Sequence, residues 1–181
     1  MTRSSRAPLK TIHPPPLRLS NGFPIFATVK VGLIRTADTA FAALEAARIK
    51  LNPCSRHIIA HLPYETEEAM VRLVRTPLEK IGLEYKDQPS YSTVCSSAIT
   101  YGFHFSPAEV VVELLRRPEF ASVRGLSIGM NPIGDCVHEP CVFTIQHIGG
   151  SRWLTTTRLH ALNRTRHNSP YLLFAVKDTT G

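Results

Sequence analysis

Two runs rich in β-branched and aromatic residues, 141–148 and 151–159, are separated only by Gly149-Gly150. A two-residue Gly-Gly loop allows the positive φ that a tight hairpin turn needs at both central positions. A β-hairpin is therefore expected there, and the rest of the chain has to supply a sheet for it to join. Just upstream, Asp135-Cys136-Val137-His138-Glu139-Pro140-Cys141 holds the densest set of reactive side chains in the sequence.

The other elements follow from periodicity and caps. Residues 23–34 alternate as a strand, with Ile25, Ala27, Val29, Val31 and Leu33 on one face. A helix is expected next, with Thr36 or Asp38 as N-cap, Ala40, Phe41, Leu44 and Ala47 turned inward and Arg48 and Lys50 in its last turn. Asn52-Pro53 is read as its stop. Residues 56–62 read as a short strand. Glu65, Glu67 and Glu68 then open a helix with Met70, Val71, Leu73 and Val74 inside, restarted at Thr76-Pro77 and ended at Gly82.

Strands are expected over 83–87 and within 91–105, with a turn at 88–90. Ser106-Pro107-Ala108-Glu109 has the form of a capping box ahead of a helix burying Val110, Val111, Leu114 and Leu115. Strands over 122–128 and 171–177 complete the list. The expected class is α+β: a mixed, mainly antiparallel sheet with about three helices on one face and a C-terminal antiparallel meander. A single domain over 22–181 is expected to follow a disordered, basic and proline-rich arm at 1–21, broken by Pro14-Pro15-Pro16.

The 181 residues are 43% hydrophobic and 19% charged, proportions of a globular chain rather than a disordered one. No apolar run approaches the ~20 residues of a membrane span. The N-terminus lacks the apolar core of a secretory signal. The four cysteines do not suggest a secreted disulfide scaffold, so reduced thiols in a cytoplasmic protein are expected. The formal charge of +7 is uneven. Residues 1–37 carry six basic and no acidic residues, 38–139 ten against thirteen, and 140–181 five against one.

Four chemistries are weighed. Cys136, His138 and Cys141, joined by Cys54 and His57, could offer soft ligands to zinc, although the spacing matches no paired-knuckle pattern. Cys136 with His138 or His147 as base, and Asp135 or Glu139 as orienter, could make a thiol nucleophile. Whether the chain is an enzyme stays open. Glu84-Tyr85-Lys86 resembles half of a metal-dependent nuclease site without its upstream acid, so a solvated face is the simpler reading. Gly125, Gly129 and Gly134 do not make a phosphate loop.

The basic segment 158–167 favours a different function. Arg152, Arg158, Arg164, Arg166 and His167 could contact phosphates, with Trp153 stacking a base. The expected function is non-catalytic binding of nucleic acid or another polyanion, RNA or DNA, through this segment and the N-terminal arm. The proline-rich arm is also a candidate ligand for a protein partner.

Overall fold

The computed structural model describes residues 22–87, 89–123, 125–162 and 171–176. The N-terminal arm lies outside them. Nine strands among the described residues form one sheet: β1 (Ile25–Val31), β2 (Lys50–Leu51), β3 (Ala69–Thr76), β4 (Phe103–His104), β5 (Leu126–Ile128), β6 (Ile133–Gly134), β7 (Pro140–Ile148), β8 (Ser151–Arg158) and β9 (Tyr171–Val176). Its order is β1-β3-β9-β5-β7-β8-β2, with β4 on β9 and β6 on β7. Only β2–β8 and β5–β9 are parallel. The fold is thus α+β with a mixed, mainly antiparallel sheet.

The hairpin forms as its sequence requires. Gly149 and Gly150 take φ of +57° and +75°, and β7 and β8 pair in unbroken register from Ile148↔Ser151 to Cys141↔Arg158. β9 does not extend the hairpin. It inserts between β3 and β5, antiparallel to the first and parallel to the second.

The helices are α1 (Ala37–Ala46), α2 (Pro53–Ala60), α3 (Tyr91–Thr100), α4 (Val110–Leu115) and the single turn α5 (Leu159–Leu162). Successive residues of β7 (Cys141 to Ile145) and β9 (Leu172 to Ala175) are buried. Because neighbouring residues of a strand point to opposite faces, both faces of these strands are covered. The helices fall into two groups: α1 touches α2 and α4, which rest on β8 and β1, whereas α3 packs with α5 and β4.

Four expected elements are of the other kind. Residues 56–62 are not a strand. Asn52 accepts the Ser55 amide at 2.7 Å and Pro53 takes the first helical position, so the pair that reads as a stop starts α2. The stripe Ser55, Ile58, Ile59 and Leu62 faces inward at helical spacing.

The expected helix over Met70 to Val74 is instead β3, held between β1 and β9. Only Leu78–Ile81 turns helically there, as a 3-10 segment closed by Gly82 at φ +74°, and Thr76 makes no cap. Residues 83–87 hold a 3-10 turn (Tyr85–Asp87). The strand expected within 91–105 is mainly α3, capped by Ser90 and burying Tyr91, Val94, Cys95 and Ala98.

The capping box at Ser106 is not made either. Ser106 turns inward, its amide donating to Gly129 O at 2.8 Å and its hydroxyl to Leu173 O at 3.2 Å. Glu109 is buried at 3% exposure. Its Oε1 accepts the Gly32 amide at 2.5 Å and its Oε2 accepts the Glu65 amide at 2.9 Å. One carboxylate thereby ties the loop after β1 to the loop before β3. After Gly32 the alternation of β1 ends: Leu33 is exposed and Ile34 is buried. Arg48, expected in the last turn of α1, lies beyond it at φ +56°, and Lys50 begins β2.

Candidate functional site

The reactive segment folds as a tight turn between β6 and β7, organised by Asp135. Its amide donates to Glu139 O and its carbonyl accepts the His138 amide, both at 2.9 Å. Its Oδ1 accepts the amides of Val137 and Glu139, at 2.9 and 3.0 Å, and its Oδ2 accepts Arg158 Nε at 3.0 Å. Burial alone would raise the Asp135 carboxyl, but the two amides and the guanidinium overcome it and hold the group below the usual carboxylate range. The hydrogen bond to Asp135, followed by its charge, pushes the Arg158 guanidinium up.

This turn does not bring an acid, a base and a nucleophile into line. The Asp135 carboxylate is committed to the turn backbone and Arg158, not to a histidine. His138 sits exposed at φ +64°, and His147 places Nε2 2.9 Å from Ala121 O, further along β7. Cys136 is exposed and Cys141 is fully buried on β7, its Sγ donating to Ile133 O at 3.3 Å. Burial pushes the Cys141 thiol up to about 11.

Cys54, in the first turn of α2, is half-buried. The Cys54 side chain is the first cause of a raised Cys136 thiol, followed by burial. His57 stays on the exposed side of α2 with its ring 4.6 Å from that of His61. Among the described residues no group of three or more His, Cys, Asp or Glu side chains is arranged to hold a metal ion.

The described cations named for phosphate contact are used within the fold. Arg152 donates from Nη1 to Leu115 O at 3.1 Å and from Nη2 to Ala47 O at 2.7 Å, so it joins β8 to the carboxyl ends of α4 and α1. Arg158 holds Asp135. Trp153 is half-buried, with Lys50 Nζ 5.6 Å from its ring centroid. Arg164, Arg166 and His167 lie outside the described residues. Glu84 and Lys86 form an exposed ion pair with each other at 2.5 Å, the solvated face their sequence suggested.

A cleft of about 500 Å³ opens beside α3, lined by Cys95, Ile99, Phe105, Leu159 and His160 among others. Tyr91 at its edge is satisfied on both sides, its hydroxyl donating to Met130 O and accepting the Met130 amide. Burial pushes the Cys95 thiol up to about 11, which leaves it an inert wall. Sequence reading misses this cleft because it makes α3 a strand; the buried spacing of residues 91, 94, 95 and 98 is the signal that could have found it.

Charge is balanced among the described residues. The described residues include thirteen basic and thirteen acidic side chains, a net of zero. The whole excess of +7 therefore lies elsewhere: four in 1–21, one at Arg124 and two in 163–170, while Lys177 and Asp178 cancel. No helix among the described residues is long and apolar enough to cross a membrane. No family model, curated protein or solved structure matches the chain.

Proposed function

We propose that this chain binds a polyanion, with single-stranded nucleic acid as the first candidate, through the cationic residues of segments 1–21 and 163–170. The observation that carries the reading is where those segments join the sheet. β1 and β9 both pair antiparallel with β3, so they run parallel to each other. Ile25 faces Val74 and Leu172 faces Thr76, so β1 and β9 start at the same end of the sheet. Two strand spacings separate them, about 10 Å. Two cationic segments joined that close together can address one phosphate backbone.

The contact set is narrower than the sequence suggested. A phosphate at Arg158 would compete with Asp135, and one at Arg152 with two helix carbonyls. The reading therefore rests on Arg164, Arg166 and His167 with Arg3, Arg6, Lys10 and Arg18.

The test is a fluorescence-anisotropy titration with single-stranded RNA and DNA oligonucleotides over a range of salt. Each phosphate contact contributes about 0.7 to the slope of log affinity against log salt on a single strand. R164E/R166E should lower that slope by roughly 1.4, and deleting 1–21 should lower it further. No binding at low salt, or a slope indifferent to both changes, removes the reading.

A further inference from the structure

Two arginines stand side by side at the carboxyl end of α4. Arg116 Nε donates to Glu113 Oε2 at 2.7 Å, and Arg117 Nη1 donates to Thr28 O at 2.9 Å on the edge strand β1. The 3-10 turn that follows, Pro118–Phe120, is set against the same strand, with the Phe120 ring centroid 5.4 Å from that of Phe26. Among the described residues these bonds leave both Nη groups of Arg116, and Nε and Nη2 of Arg117, without an acceptor.

Glu113 is the costly part of this arrangement. It is buried at 0% exposure, and its Oε1 makes no hydrogen bond among the described residues. A carboxylate taken out of water is unfavourable unless it is fully paired, so packing alone would be better met by an apolar side chain. What Glu113 supplies is a fixed direction for the Arg116 guanidinium, whose side chain is 40% exposed.

Both arginines line a cleft of about 410 Å³, together with Pro118 and with Ala43, Ala46 and Ala47 of α1. Alanine side chains stop at Cβ, so they give the cleft a flat apolar wall. No acidic residue lines it among the described residues. The carbonyl ends of α1 and α4 would repel an anion, but Arg152 occupies Ala47 O and Leu115 O with its two Nη groups.

We infer that this cleft takes a small phosphomonoester, its phosphate on Arg116 and Arg117 and its body against the alanine wall. Guanidinium forks match phosphate oxygens in pairs, and two adjacent guanidiniums suit a dianion better than the single charge of a carboxylate. The volume falls within the range of small-molecule sites. The inference requires nothing of the polyanion reading, whose cations lie in segments 1–21 and 163–170.

The experiment is a chemical-shift titration of the isotope-labelled full chain with inorganic phosphate, adenosine 5′-monophosphate and adenosine. The monophosphate should move the amide signals of Ala46, Ala47, Arg116 and Arg117 and bind more tightly than inorganic phosphate, and adenosine should bind more weakly than the monophosphate by about tenfold or more. R116M/R117M should weaken the monophosphate by a similar factor. If that variant loses its fold, A46W, which fills the cleft and leaves both arginines in place, should have the same effect. Deleting 1–21 or introducing R164E/R166E should leave the monophosphate affinity unchanged, which separates a failure here from a failure of the polyanion reading. Adenosine binding as tightly as its monophosphate, shifts confined to other parts of the chain, or an affinity indifferent to R116M/R117M and A46W overturns the inference.

Discussion

Replacing Glu109 tests the claim that one buried carboxylate fastens two loops. In E109A the Gly32 amide, itself buried, loses its acceptor, while the exposed Glu65 amide can turn to water. An orphaned buried amide costs about 1–3 kcal/mol, and truncating a buried side chain adds a packing loss of the same order. Removing a desolvated charge offsets part of this, so a net loss of roughly 2–4 kcal/mol is expected. At about 2–4 °C per kcal/mol for a chain of this size, the midpoint should fall by roughly 5–15 °C. E109Q keeps one carbonyl oxygen for Gly32 and should cost less. Burial is the first cause raising the Glu109 carboxyl, against the pull of the Gly32 and Glu65 amides. The sign follows: the folded state holds this proton more readily than the unfolded, so the parent gains stability as pH falls through the folded pKa. The amide side chain of E109Q cannot titrate, so the parent's advantage over that variant should widen toward acid. Urea unfolding followed by far-UV circular dichroism at several pH values measures both. An E109A midpoint within error of the parent would refute the tie, and a gap that narrows toward acid would refute the burial argument.

Other substitutions probe separate features. Gly32 has φ +79°, and a Cβ there would overlap Glu67 O, whereas Gly149 at φ +57° has open space around it. Gly32→Ala should therefore cost much more than the ~1–2 kcal/mol of left-handed strain expected for Gly149→Ala, read from urea midpoints. Asp135→Asn should destabilise at neutral pH. The lowered Asp135 carboxyl contributes stability above the ordinary carboxylate range and loses it as pH falls through the folded value, so parent and variant should converge in acid. Because Cys54 is the leading cause that raises the Cys136 thiol, C54S should shift the rise of Cys136 reactivity toward an aromatic disulfide to lower pH. An unchanged pH profile would count against that cause.

What the sequence made legible was what local chemistry decides by itself. Gly149-Gly150 admits one kind of turn, and the β-branched runs beside it have no other partner as near. Thr36 caps α1 because its side chain and that of Thr39 satisfy each other's backbone amides. Asn52-Pro53 misled because proline serves equally after a helix and at the first position of the next, and only the stripe 55, 58, 59 and 62 tells them apart. In α3 the β-branched residues suggested strand, but burial at 91, 94, 95 and 98 outweighs that weak preference. Ser106 and Glu109 carry the letters of a capping box and answer to distant partners instead: Gly129 and Leu173 for one, Gly32 and Glu65 for the other. No window of sequence contains those pairs.

The cations fastened to carbonyls and carboxylates within the described residues serve the architecture. Arg152 makes the case sharply: a planar guanidinium reaches two helix ends at once, which a lysine ammonium on a flexible stem does less well. Arg152→Lys should then lower stability by about 1–2 kcal/mol and leave polyanion affinity alone, whereas R164E/R166E should do the reverse. If Arg152→Lys weakened binding at unchanged stability, the recognition surface would lie on β8 rather than at the end of the sheet where β1 and β9 begin.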